Sequence, residues 1–261
     1  MPTTDEPAIR FQDVSKTFGR TEGRSDLIAV DRLSFDIAKG EIVAILGKTG
    51  CGKSTVFNMI AGLSEPSGGS VQVVGHNPFR EFEFFRGKIG IVFQNDRLMP
   101  WRTALDNVIL GLEILDTDRK KAEEIARGWL ARLGLSGHEN DYPHALSGGM
   151  RQRVSIARAF AVEPDLMLCD EPFSALDEMT ARDLRAEFVR LVKQNGKTAV
   201  FITHHINEAM DVGDRVFVFH RPARIAYEAR MDQASREGGR KAIQDDILKV
   251  LSLEDTSASG A

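Results

Sequence analysis

The sequence predicts an α/β protein with a mostly parallel sheet, an antiparallel β-subdomain on its N-terminal side and an inserted helical segment. Three observations carry that expectation. Unbroken apolar runs at Ile42–Leu46, Leu166–Cys169 and Ala199–Ile202 read as strands covered on both faces, as in parallel sheets. Ile9–Phe18 alternates loosely and Leu33–Ile37 strictly between apolar and polar residues, as half-buried antiparallel strands do. From about Leu98 to Ala161 the pattern turns helical, with Ile125, Trp129, Leu130 and Leu133 at helix-like intervals among charged neighbours.

The elements follow in order. Gly19–Asp26 is a polar loop between the first two strands. The run at Ile42 ends at Gly47, and a helix from about Lys53 to Ala61 is closed by Gly62. A turn-rich stretch, Ser64–Gly69, leads into a strand over Ser70–Val74. After the inserted helices, an amphipathic helix over Ala181–Gln194 joins the two later apolar runs, so right-handed crossovers are expected. Asp214–Phe219 is expected as the last core strand. Beyond Pro222 the chain turns polar, with a short amphipathic helix around Lys241–Leu251 and a small-residue tail, Thr256–Ala261. One domain is expected over residues 1–222, with the helical subdomain inserted at about 97–161, and a C-terminal extension over 223–261.

Composition narrows the function classes. In 261 residues, 42% hydrophobic and 28% charged, this is an ordinary globular balance rather than a disordered or disulfide-scaffold one. With 34 basic against 38 acidic residues and no long basic block, no nucleic-acid partner is expected. No apolar stretch approaches the ~20 residues that cross a bilayer, and the first residues lack a basic segment followed by an apolar one, so a cytoplasmic protein is expected. The cysteines, Cys51 and Cys169, have neither zinc-site spacing nor flanking histidines and read as buried thiols.

The chemistry begins at Gly47-Lys48-Thr49-Gly50-Cys51-Gly52-Lys53-Ser54, followed by Thr55, which fits the phosphate-loop pattern. Its glycines let the backbone curl so that successive N–H groups aim at phosphate oxygens, with a helix N-terminus behind them. Lys53 would reach the β- and γ-phosphates and Ser54 would offer its hydroxyl to Mg²⁺. A Gly-rich turn is the plain alternative, but the preceding strand and following helix are what the loop requires. Asp170 and Glu171 stand at the end of an apolar strand, where open α/β sheets bind ligands. There Asp170 would hold the metal and Glu171 would take a proton from an attacking water. Taken alone, the pair is also compatible with a solvated turn.

Leu146-Ser147-Gly148-Gly149-Met150-Arg151-Gln152 resembles the signature sequence of the ATP-binding cassette (ABC) ATPases. Ser147 and the two glycines opening a helix form a second phosphate-binding geometry, although Ser147 is equally a helix N-cap. The resemblance covers roughly residues 8 to 222 and implies the P-loop NTPase core of that family. It further implies a head-to-tail homodimer in which one subunit's signature closes over ATP held by the other's phosphate loop.

By the same resemblance, Gln94 is the Q-loop glutamine that contacts Mg²⁺ and the attacking water. Ser174-Ala175-Leu176-Asp177 is the D-loop, with Asp177 crossing the interface. His204 is the switch histidine on the γ-phosphate, and Phe18 stands where an aromatic stacks on adenine. Phe18 alone would read as core as readily as platform. His205 departs from the aspartate common in relatives. Lys48-Thr49 replaces a common Pro-Ser, outside the glycine positions, so nucleotide binding should survive.

Leu98-Met99-Pro100-Trp101, Asp106-Asn107-Val108 and Tyr142-Pro143-His144 look like the ATPase subunits of bacterial nitrate, sulfonate and taurine importers. That likeness implies a permease docking near Gln94–Trp101, an extracytoplasmic solute-binding protein acting indirectly, and a place on the cytoplasmic face of the inner membrane. The Leu98–Trp101 cluster suits a groove for a permease helix, or simple packing of the insertion. The rival classes are a non-transport ABC ATPase of DNA repair or translation, and an exporter ATPase. Chromosome-type members need long heptad arms and translation-type members usually carry two cassettes, and neither pattern is present.

Overall fold

The computed structural model describes residues 6–19, 26–174, 176–232 and 238–258, with side chains through Leu253. The chain divides into two compact units, one of Met1–Phe84 with Thr198–Ala261 and the other of Phe85–Lys197.

In the first unit, β1 (Ile9–Phe18) pairs antiparallel with β2 (Leu27–Ile37) on one side and β4 (Gly68–Val73) on the other. Alternation puts Phe11 and Phe35 on the buried face, where their rings stack 4.5 Å apart. Part of the expected Gly19–Asp26 loop, residues 20–25, lies outside the described residues. The apolar run becomes β3 (Ile42–Gly47), buried at every position and flanked in parallel by β7 (Thr198–Thr203) and β8 (Arg215–His220). α1 (Lys53–Ile60) follows β3, and Gly62 takes φ +73° just beyond it, as a helix-ending glycine does.

β8 is not the last strand. β9 (Arg224–Arg230) pairs antiparallel along its free edge. Its residues are mostly exposed, so its sequence carries too little apolar signal to stand out from a polar tail. α6 (Ile206–Val212) covers β3 and β8, and α7 (Arg240–Ala258) is longer at both ends than expected, taking in Thr256–Ala258 of the predicted tail. Residues 259–261 of that tail lie outside the described residues. Ile247 of α7 is fully buried with Ala44, Leu46, Met210 and Val218.

In the second unit, β5 (Ile89–Val92) runs parallel to β6 (Leu166–Asp170). β5 was not expected, because Gly90 interrupts its four residues. That glycine is needed there, since a Cβ would lie 2.8 Å from Ala159 O and 2.9 Å from Met167 Sδ. The helical reading is realised as α2 (Ala104–Ile114), α3 (Arg119–Arg132) and α4 (Gly148–Ala161). α5 (Glu178–Gln194) starts earlier than its apolar stripe, on the Asp177 cap. Trp129, Phe160, Phe188 and Phe173 form a chain of ring contacts through this core.

Candidate functional site

Each unit carries a built surface. In the first, β3 delivers Gly47 at its C-terminal end, and the loop turns there because no side chain fits. A Cβ on Gly47 would lie 2.7 Å from Cys51 Sγ and 2.8 Å from Phe219 O. Cys51 is buried, its sulfur tucked under the loop. Gly52, at φ +106°, presses against Ala29 O, while Gly50, at φ +83°, faces open space. Lys53 is buried and its ammonium donates to Gly47 O at 2.6 Å and Lys48 O at 3.0 Å, so the cation is held over the loop. Gly52 caps α1 without a side-chain bond, and Ser54 stands exposed on the first turn with Thr55 beside it.

Phe18, Leu27, Ile28, Gly50, Gly52, Lys53, Ser54, Thr55 and Arg221 line one cleft of about 300 Å³. Phe18 is therefore a partly exposed cleft residue, 42% accessible, with the Lys16 ammonium 5.1 Å from its ring centre. Ile28 and Arg221 were missed. Arg221 directly follows β8, the neighbour of β3, and its position at a strand end was the available signal.

The segment expected to carry the switch histidine leaves the fully buried β7 at Thr203. His204 is exposed and its ring lies 4.0 Å from that of His205, which begins α6 as its N-cap position. Behind them Thr203 Oγ1 donates to Glu208 Oε2 at 2.6 Å and accepts from His205 N at 3.0 Å.

In the second unit, Val92 of β5 pairs with Cys169 of β6, so Gln94 and Glu171 each emerge two residues beyond that pair. Gln94 Nε2 donates to Glu171 Oε2 at 3.3 Å. Glu171 sits at φ +46°, and its carbonyl accepts from Ser174 N and Ser174 Oγ, which anchors the turn after the strand. Asp170 is half-buried at the end of β6. Burial, with the Asp170 charge beside it, pushes the Cys169 thiol up, so this sulfur stays protonated. The segment after Gln94 is gripped from α4. Arg151 Nε donates to Asp96 Oδ2 at 2.9 Å, and Arg158 donates to the carbonyls of Asp96 and Arg97.

Ser147 caps α4 by accepting from Met150 N at 3.3 Å, so the capping role weighed in the sequence is present. Gly149 meets α5 closely, where an added Cβ would lie 3.2 Å from Thr180 Cγ2. Ser147, Gly148, Gly149, Met150, Arg153 and Asp177 line a second cleft, of about 440 Å³. Asp177 caps α5, accepting from Thr180 N at 3.0 Å, and this bond first of all holds its carboxyl below the ordinary aspartate range. Ala175, within the expected D-loop, lies outside the described residues.

The Leu98–Trp101 group divides. Leu98 is buried, whereas Trp101 is 72% exposed. The loop between is tied down by Asn107, fully buried on α2. Its Oδ1 accepts from Met99 N at 2.7 Å and its Nδ2 reaches the carbonyls of Met99, Arg102 and Thr103. Among the described residues no helix is long and apolar enough to cross a membrane.

Known proteins place these features. The family described as ABC transporter matches residues 30–174. The taurine import ATP-binding protein TauB of Pseudomonas aeruginosa is 43% identical over 239 residues, 85% of this chain and 89% of the relative. The trimethylamine N-oxide transport system ATP-binding protein TmoW of Ruegeria pomeroyi is 41% identical over 220 residues, 82% of this chain and 63% of the relative. Among solved structures, the dimeric post-hydrolysis state of the ATP-binding cassette MJ0796, bound to ADP and Pi, is 33% identical with a TM-score of 0.76, covering 86% of this chain and 99% of that one. With a family match that runs from β2 through the phosphate loop, the signature and the turn after β6, the chain belongs to the ABC transporter family.

Proposed function

We propose that this chain is the ATP-hydrolysing subunit of a bacterial importer for taurine, nitrate, a sulfonate or a similar small solute. It works as a homodimer beside separate permease subunits at the cytoplasmic face of the inner membrane, and an extracytoplasmic solute-binding protein delivers the solute. The observation that carries this reading is the pair of clefts. One joins Phe18 to the phosphate loop, and the other joins Ser147, Gly148 and Gly149 to Asp177. Two phosphate-binding geometries on one chain suit two copies arranged head to tail, each signature closing on the other's ATP. The taurine import name of one relative favours import, and the trimethylamine N-oxide transport name of another favours transport of a small solute.

The residues suit their assigned tasks. Phe18 is available for stacking on a base, Gly50 leaves room for close backbone approach, and Lys53 is already held over the loop. Ser54, Asp170 and Gln94 each offer an oxygen, the donor a hard divalent cation prefers, and are the residues that would hold Mg²⁺. When bound, Mg²⁺ neutralises charge on the phosphates. Glu171 takes the proton of the attacking water as its oxygen bonds to the γ-phosphorus, and the bond to the bridging oxygen breaks to leave ADP. Lys53, His204 and the backbone donors after Ser147 balance the charge that develops. Closure and reopening of the dimer then move the permease between its two access states.

ATPase activity measured with and without a co-purified permease tests the reading, and stimulation by the permease is expected. Stimulation by DNA or ribosomes instead would overturn it in favour of a non-transport ATPase.

A further inference from the structure

We infer that Glu208 is a positioning residue for His204, acting through the Thr203 hydroxyl. The inference rests on the reading above, in which His204 meets the γ-phosphate. Glu208 is a carboxylate with 6% of its surface accessible, on the first turn of α6, and Thr203 is fully buried at the end of β7. The threonine hydroxyl has a single proton, and the 2.6 Å bond commits it to Glu208 Oε2. Its lone pairs then face the other way, and one accepts the backbone N–H of His205 at 3.0 Å. His204 is the one residue between these two fixed points. Rotation of its backbone breaks the bond to His205 N, so the path of the chain that carries its exposed imidazole is held by Thr203 and, through it, Glu208.

Glutamate at the third position of a helix often reaches back to the N-cap amide directly. Here the hydroxyl of the preceding strand residue stands between, so strand and helix are tied in one relay. α6 has independent anchors in fully buried Ala209 and Met210 and in the Arg240–Asp211 pair at 2.7 Å. Loss of Glu208 should therefore free the turn while leaving the helix seated.

The test compares Glu208→Ala, Glu208→Gln, Thr203→Val and Thr203→Ser with His204→Ala in the intact chain. Steady-state ATPase and thermal melting are read together. Glu208→Ala and Thr203→Val are expected to lower kcat about 100-fold, with KM for ATP within about twofold, since a misplacement near 1 Å costs that much. Glu208→Gln and Thr203→Ser, which keep the acceptor and the hydroxyl, restore most of the rate. Adding Glu208→Ala to His204→Ala lowers kcat no further. A lowered melting temperature with kcat unchanged would overturn the inference and leave Glu208 as a helix cap alone. If Thr203→Val does not fold, Glu208→Ala against Glu208→Gln decides. Full activity of His204→Ala would instead overturn the role of His204 itself, and is thus distinguishable from failure of the relay.

Discussion

Gln94 donates from Nε2 to Glu171 Oε2 across 3.3 Å, so the amide that follows β5 holds the carboxylate that follows β6. The bond gives the Glu171 carboxylate an orienting partner at Oε2. A base must be aimed before it can act, and the positive φ of Glu171 already commits its backbone to one direction. Glu171→Gln should therefore keep ATP binding and lose turnover by about 10²- to 10⁴-fold. Size-exclusion chromatography with ATP should show a persistent dimer, and phosphate release should be lost. Normal hydrolysis by this variant would remove Glu171 from the role of base.

Gly47 is the position where the loop leaves no space. Alanine there meets Cys51 Sγ on one side and the Phe219 carbonyl on the other, and a carbonyl of a core strand cannot step aside. Gly47→Ala is expected to cost about 1–3 kcal/mol in denaturant unfolding and to weaken ATP binding. Combining it with Cys51→Ala should recover little, because the clash with Phe219 O remains. Full recovery would locate the strain at the sulfur instead. The burial of Cys51 also bears on alkylation at this loop. A thiol-specific reagent should react slowly with the folded chain, at a rate set by local opening.

These features differ in how far the sequence disclosed them. The candidate phosphate loop was legible because its pattern is local: a glycine where no Cβ fits and a lysine six residues on, at the first residue of α1. Phe18 was legible only through the family register, since an aromatic at a strand end is as often core, and its place in the cleft depends on β1 reaching Leu27 across the sheet. β5 and β9 were missed for opposite reasons, one being too short and broken by Gly90, the other too exposed to show an apolar face. Arg221 reaches its cleft only through the long-range pairing of β8 with β3, whereas Asn107 and Glu208 bond to groups within eight residues, which their identity alone does not reveal. Each is an ordinary polar residue until the fold brings a loop, a strand end or a hydroxyl to it.

Asn107 supports a loop whose tip is Trp101. Its side chain is bonded to three carbonyls and an amide, so Asn107→Ala leaves several partly buried backbone groups short of partners, at about 1–3 kcal/mol. Trp101→Ala removes an exposed ring and should change stability by less than about 0.5 kcal/mol. Both should reduce stimulation of ATP hydrolysis by the permease, one by releasing the loop and the other by removing its contact. Retained stimulation in Trp101→Ala would show that the permease docks elsewhere.

α7 is seated on the same core that carries the phosphate-loop strand. Ile247 is fully buried among residues of β3, α6 and β8, with Ile243, Val250 and Leu251 packed around it, and His220 Nε2 lies 2.9 Å from Val250 O. Removing the bulk of the Ile247 side chain opens a cavity there. Ile247→Ala is expected to cost about 2–5 kcal/mol. Ile247→Asp should detach the helix outright, because a carboxylate among these groups would have no partner. Hydrogen exchange should then rise over residues 240–253 and along β9, with β3 still protected. Unchanged exchange in α7 would mean that the helix is held by its ends, through the Arg240–Asp211 pair, rather than by its apolar face.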